Sequence, residues 1–272
     1  MALITLTSDF GHQDYLAGAV KGILLNISED FKLIDVTHSL TPFNYPQAAY
    51  ICRNALKHFP PFTFHLILVD LFDKKPEQLL LAFHNNQYMI CADNGLLTMI
   101  LEEKPEMTVA LPLRKERKKD TLYIAEVMGE TIKKIQSGMS LQQIGLPDAI
   151  FHEVNPLKPV FSDNWIEGQI IYIDNFENII VNITEKEFLE RRKFRKFRII
   201  FRRNDVIDTI SETYADVPEG EKLALFNAAG YLEIAMNKGN AAGLFGLEGF
   251  SEKSKNEQNR LFYQTVRILF ED

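Results

Sequence analysis

Asp9 stands in Thr7-Ser8-Asp9-Phe10-Gly11, directly behind the apolar run Ala2-Leu3-Ile4-Thr5-Leu6. The pattern puts a carboxylate on the loop leaving the C-terminal end of a first strand, where open α/β sheets hold their ligands. An ionised carboxylate there can accept hydrogen bonds from ligand hydroxyls. Capping of the helix that follows accounts for the same residue equally well. Asp70 repeats the arrangement at the end of the apolar run 64–69. Asp-Phe-Gly is also a metal-binding motif of protein kinases, but that motif needs a nucleotide-binding lobe before it, and only eight residues precede Asp9.

These residues need a scaffold, and the hydrophobic pattern supplies one. Residues 14–27 carry an apolar stripe at helical spacing, residues 32–36 read as a strand, and 45–59 as a second helix. Residues 64–69 form a third strand; 79–83 and 88–91 form two more, with Asn85-Asn86 as the hairpin turn between them. Asp93-Asn94-Gly95 follows as a tight turn, a composition that usually serves the backbone. Short continuous apolar strands separated by helices imply a mostly parallel sheet flanked by helices. This N-terminal α/β domain covers residues 1–150. Pro147, Pro156 and Pro159 then mark a stretch of little periodicity, with the linker itself at about 151–164. Beyond it, strands are expected at 168–174, 178–183, 196–201, 222–226, 231–236 and 261–269, giving a smaller antiparallel β domain over 165–272.

Composition excludes several classes. A net charge of −7 on 272 residues argues against a protein whose main business is holding nucleic acid. The basic stretch 191–203 interleaves Phe with Arg, as an RNA-binding strand could, but any half-buried surface strand alternates in the same way. The basic run 114–119 reads as a solvated loop. Cys52 and Cys91 both lie in apolar sequence and point to buried thiols in a reducing cytoplasm. No apolar run approaches the roughly 20 residues of a membrane span. A phosphate-cradling Gly-rich loop, a Gly-x-Ser-x-Gly elbow and convincing metal-ligand spacing are all absent, so no bound cofactor or metal is expected.

A set of motifs occurs in one order along the chain. They are Thr7-Ser8-Asp9-Phe10-Gly11, Gly18-Ala19-Val20-Lys21-Gly22, Ile34-Asp35-Val36-Thr37-His38-Ser39-Leu40-Thr41-Pro42, Val69-Asp70 and Ala92-Asp93-Asn94-Gly95-Leu96-Leu97, then Ile173-Asp174-Asn175-Phe176-Glu177-Asn178, Asn182-Ile183 and the segment from Asn227 to Ala235. Together they resemble the S-adenosylmethionine hydroxide adenosyltransferase family, whose relatives include fluorinating and chlorinating adenosyltransferases. The resemblance implies an N-terminal α/β domain, a C-terminal β domain, and a homotrimer that binds S-adenosylmethionine between neighbouring subunits. It assigns Asp9 to the ribose hydroxyls, Asp174 to the methionine ammonium and Asn178 to adenine, with a turn between strands as the competing explanation for the last two. Phe43 falls where relatives carry an aromatic against the sugar, with ordinary core packing as its competing explanation. Asn227 and Ala228 fall in the loop that holds the methionine carboxylate and adenine, and Ala228 replaces the family's usual Ser.

The implied reaction is displacement at the 5′ carbon by water or hydroxide, releasing methionine and adenosine, with Asp70 in the catalytic set. Two other positions of that set depart from the family pattern. Counting along the chain puts Glu77 where the family has Arg, and Tyr123 where it has His. A Glu beside a sulfonium stabilises the bound cation, and that cation is lost in the transition state, which favours binding over turnover. Two functions therefore stand at this stage: a hydrolase forming adenosine, or a protein that binds or senses S-adenosylmethionine or adenosine.

Overall fold

The computed structural model describes residues 1–147, 150–202, 205–244, 246 and 264–271. The chain divides into two compact units, Met1–Pro156 and Leu157–Asp272, which are described in turn. The end of the basic stretch, Arg203, and the first residues expected in the last strand, 261–263, lie outside the described residues.

In the first unit, strands β1 (Ala2–Ser8), β2 (Phe31–Thr37), β3 (Phe64–Leu68), β4 (Gln78–His84), β5 (Gln87–Ala92), β6 (Met107–Pro112) and β7 (Leu146–Pro147) form one sheet in the order β2-β1-β3-β5-β4-β6-β7. Helices α1 (Leu16–Ile27), α2 (Tyr45–Leu56), α3 (Leu96–Leu101), α4 (Thr121–Gln136) and the short α5 (Leu141–Ile144) connect them. Pairing is parallel across β2-β1-β3-β5 and antiparallel beyond, because the β4–β5 hairpin reverses the chain. That hairpin turns at Asn85 and Asn86 with φ of 48° and 58°, the paired left-handed conformation that Asn tolerates and that matches strand twist.

Both faces of the sheet are covered, and β3 shows how. Leu66 and Leu68 point into a core with Val20 and Leu24 of α1 and Ile124, Met128 and Ile132 of α4. Ile67 and the following Val69 point into the opposite core with Ala48, Cys52 and Leu56 of α2 and Leu96 and Ile100 of α3. The period-two alternation of a strand thus sorts one apolar run onto two helical layers. Asn44 caps α2 by accepting the Gln47 N–H at 3.2 Å, and Asp120 caps α4 by accepting the Tyr123 N–H at 3.0 Å. Cys52 and Cys91 are buried free thiols, and burial pushes Cys52 up to about 12.

The second unit is built on an antiparallel sheet. Its strands are β8 (Val160–Phe161), β9 (Trp165–Ile173), β10 (Ile179–Thr184), β11 (Lys196–Arg202), β12 (Asp205–Ile207), β13 (Lys222–Phe226), β14 (Tyr231–Met236) and β15 (Thr265–Glu271). They run in the order β12-β11-β15-β9-β10-β14-β13, with β8 pairing β9 at the side. A bridge between Ile210 and Ala224 brings the two edges together, so the sheet is nearly closed. Helix α6 (Glu185–Arg192) opens on a capping box between Thr184 and Glu187. Its Phe188 is buried among Phe197, Phe226 and Phe270. The arginines of the basic stretch lie against this unit's own residues. Arg195 donates to the Asp163 and Arg191 carbonyls, Arg192 lies over the Phe197 ring, and Arg198 pairs with Glu271. Among the described residues, no helix is long and apolar enough to cross a membrane.

Candidate ligand site

Strands β1, β2, β3 and β5 are parallel, so their C-terminal ends share one edge of the sheet. The chain leaves β1 outward to β2 and returns past β1 to β3, with α1 and α2 on opposite faces. The crevice between the ends of β1 and β3 is therefore a topological switch point, the expected place for a ligand. Asp9 and Asp70 stand on its two sides.

Asp9 does not cap α1, which begins at Leu16 behind Tyr15. Instead its Oδ2 accepts the Asp70 backbone N–H at 2.9 Å. Burial raises the Asp9 carboxyl above its ordinary value, and the nearby charge of Asp70 adds to the rise. The Asp70 carbonyl accepts from the Asn94 side-chain amide at 3.2 Å, and that amide also donates to the Val69 carbonyl at 3.0 Å. The Asp70 peptide is thus held on both sides. Its carboxylate Oδ2 accepts the Tyr45 hydroxyl at 2.8 Å, while burial, then Asp70 itself, push the Tyr45 phenol far above its usual range. Asp70 adopts φ 44°, in the left-handed region that costs a residue with a Cβ roughly 1–2 kcal/mol. Phe43 is left-handed too, at φ 64°, and is 72% exposed, which overturns ordinary core packing as its explanation. Two strained non-glycine residues on loops of one sheet edge are a feature of functional sites.

The segment 152–154 is pinned to the same edge. His152 N–H donates to Asp93 Oδ1 at 2.7 Å, and Thr98 exchanges hydrogen bonds of 2.9 Å with both backbone groups of Val154. Gly95 sits beneath at φ 90°, where a Cβ would run into Val154.

Glu77 and Tyr123 lie differently. Glu77 is exposed, and its carbonyl accepts the Leu113 N–H at 2.8 Å. Tyr123 is buried, its hydroxyl accepts the Arg114 N–H at 2.9 Å, and Arg117 lies over its ring at 4.9 Å. Its tip is engaged in shaping the 113–120 loop.

In the second unit, the turn between β9 and β10 is organised by Asp174. Its Oδ1 accepts the N–H groups of Phe176 at 2.8 Å and Asn178 at 2.9 Å, and its Oδ2 accepts the Asn178 side-chain amide at 3.1 Å. Asn178 is buried, whereas Phe176 is 76% exposed. Asn227 organises the β13–β14 turn in the same way, accepting from Ala229 at 3.0 Å and Tyr231 at 3.2 Å, with Ala228 exposed between. Between the two turns lies Glu233, buried in β14, which accepts the Tyr214 hydroxyl at 2.6 Å, is hydrogen-bonded by Asn227 and feels the charge of Asp174. Burial raises its carboxyl above the ordinary 4.5. A raised carboxyl stabilises fully below its unfolded pKa, and that stability is lost as pH rises through the folded value. Glu233→Gln is therefore expected to gain urea resistance relative to the parent between pH 4.5 and pH 8, and a difference that does not change with pH would contradict this.

Tyr45, Asn94 and Glu233 escaped the sequence reading. Asn94 lies in a turn whose composition has a sufficient backbone explanation, and Tyr45 reads as the first residue of a helix. Glu233 does sit inside the segment 227–235, and a carboxylate in an otherwise apolar strand was a usable signal. Among the described residues, no cluster of His, Cys, Asp or Glu is arranged to hold a metal ion.

The chain thus joins an α/β unit with acidic groups at its switch point to an antiparallel β unit with two side-chain-organised turns. The chain belongs to the SAM hydroxide adenosyltransferase family: the family's N-terminal domain matches residues 4–145 and its C-terminal domain residues 168–252. It is 27% identical over 260 residues to the (R)-S-adenosyl-L-methionine hydrolase of Methanocaldococcus jannaschii, covering 92% of this chain and 94% of the relative. The protein of the same name from Thermus thermophilus is 26% identical, with 91% and 97% covered. A fluorinase of Actinopolyspora mzabensis is 25% identical, with 92% and 95% covered. A crystal structure of an uncharacterized conserved protein from Thermotoga maritima shares the fold, with a TM-score of 0.80 at 23% identity over 99% of this chain and all of that one.

Proposed function

We propose that this protein binds S-adenosylmethionine and hydrolyses it to adenosine and L-methionine. The observation that carries the reading is the Asp9–Asp70 pair at the switch point of a chain from this family. Asp9 accepts the ribose hydroxyls, and Phe43 covers the sugar and the reacting carbon. Asp174 receives the methionine ammonium and Asn178 reads adenine, while Asn227 and the backbone of Ala228 hold the methionine carboxylate. Acidic groups on both sides of the crevice attract the sulfonium. Water attacks the 5′ carbon, the carbon–sulfur bond breaks with its electron pair going to sulfur, and the proton of the new hydroxyl passes to Asp70. In this reading the site is completed by the second unit of a neighbouring copy, in a trimer. Chromatography of the purified protein with excess S-adenosylmethionine tests it: adenosine and methionine are expected over many protein equivalents, and none above the uncatalysed background would refute hydrolysis.

A second reading, binding without turnover, is favoured by one observation. The Tyr123 hydroxyl accepts the Arg114 backbone N–H, so the group at the family's His position is already engaged. Calorimetric binding of S-adenosylmethionine with no product would establish it.

A further inference from the structure

Three groups behind Asp9 form a connected line. Ser8 Oγ lies 2.7 Å from His38 Nδ1, His38 Nε2 lies 3.1 Å from Asp35 Oδ1, and Asp35 pairs with Lys21. Ser8 Oγ and His38 Nδ1 share a hydrogen bond, and Asp35 Oδ1 lies beside the other ring nitrogen. The order Ser-His-Asp is that of a hydrolytic triad, but Ser8 is wholly buried and its hydroxyl points inward to the ring, so no substrate reaches it. The line serves the loop instead. The His38 carbonyl accepts the Gly11 N–H at 2.7 Å, and the Ser8 carbonyl accepts the Leu40 N–H at 3.4 Å. His38 thus grips the chain before Asp9 with its ring and after Phe10 with its backbone. His38 is itself buried, and Asp35 Oδ1 lies 3.1 Å from the far side of its ring.

We propose that His38 is the positioning residue for Asp9, fixing the loop so that the carboxylate meets both hydroxyls of a ribose, and that the Ser8–His38–Asp35 line thereby sets selectivity for the sugar. The inference rests on the assignment of Asp9 to the ribose. Asp35 is suited to anchoring the ring: although burial acts to raise its carboxyl, Lys21 and His38 hold it below the usual range.

The test is a ratio of affinities, measured calorimetrically on the full chain with adenosine and with 2′,3′-dideoxyadenosine. The parent is expected to prefer adenosine by about 100-fold or more, the effect of two charge-assisted hydrogen bonds. In His38→Ala and Ser8→Ala the preference should drop at least about tenfold, the affinity for the dideoxy compound staying unchanged, since only the carboxylate's aim is lost. His38→Asn, whose amide can replace Nδ1 toward Ser8, should restore most of the preference. Ser8→Ala removes a single oxygen and carries the test if His38→Ala does not fold. A parent without preference would refute the assignment of Asp9 to the ribose. A parent with preference and variants that retain it in full would overturn the role of His38 and leave that assignment standing.

Discussion

Asp9→Asn should weaken binding of adenosine and S-adenosylmethionine by about two to four orders of magnitude. Each hydrogen bond from a ribose hydroxyl to a carboxylate contributes about 1.5–3 kcal/mol, and two of them are lost or turned into amide contacts. The substitution suits the site because an amide oxygen can still accept the Asp70 N–H that Asp9 Oδ2 now receives at 2.9 Å. The loop geometry is therefore kept, and the melting temperature should hardly move. Calorimetry beside a thermal melt separates the two effects. An affinity within threefold of the parent would remove Asp9 from the site, and a collapse of the melt would mean that its carboxylate serves the fold. The protonation behaviour adds a second handle. Burial raises the Asp9 carboxyl, and binding needs it ionised, so affinity should fall on acidification at a pH above the ordinary 3.8. The Asp9→Asn protein should lack that dependence.

Local features of this site were legible, and contacts between distant segments were not. The run Leu66-Ile67-Leu68-Val69 announces a strand buried on both faces, and the cores on either side divide those residues as alternation requires. Asn85-Asn86 announces its own turn because the residue type tolerates the backbone that the turn needs. Asp9 and Asp70 were each placed at a strand end from nearby residues alone. That one binds the backbone of the other across 61 positions depends on strand order, with β3 returning to lie beside β1, and no periodicity within either segment encodes it. The same holds for His38 and Ser8, which meet because β2 lies on the other side of β1. Tyr123 shows a different limit. Counting along a family pattern places a residue at a position, but the use of its hydroxyl by Arg114 follows from the path of the 113–120 loop. In the second unit the strands were readable from alternation. Closure through the Ile210–Ala224 bridge was not, because it joins edges that are neighbours only once the whole sheet has curled.

Asp70→Asn should lower the rate of adenosine formation by about two to four orders of magnitude and weaken the affinity for S-adenosylmethionine much less, by the loss of one charge's attraction for the sulfonium. Loss of a positioned proton acceptor costs that much in general acid–base catalysis. The backbone makes this substitution more informative than any other at the position. Asp70 holds φ 44°, and among residues with a Cβ, Asn enters the left-handed region most readily, so the turn survives where Ala would be strained. The Asn oxygen can accept the Tyr45 hydroxyl in place of Oδ2, and the backbone bonds to Asp9 and Asn94 are untouched. What disappears is the negative charge and its capacity to take a proton. Tyr45→Phe is the companion measurement. It removes the hydroxyl that donates to the Asp70 carboxylate, so the carboxylate loses one constraint on its orientation. A fall in rate for Tyr45→Phe smaller than for Asp70→Asn places the proton on Asp70 and leaves aiming to Tyr45. Equal falls would mean that orientation is the larger contribution. An Asp70→Asn protein that still forms adenosine at the parental rate would take the proton acceptor out of this turn altogether.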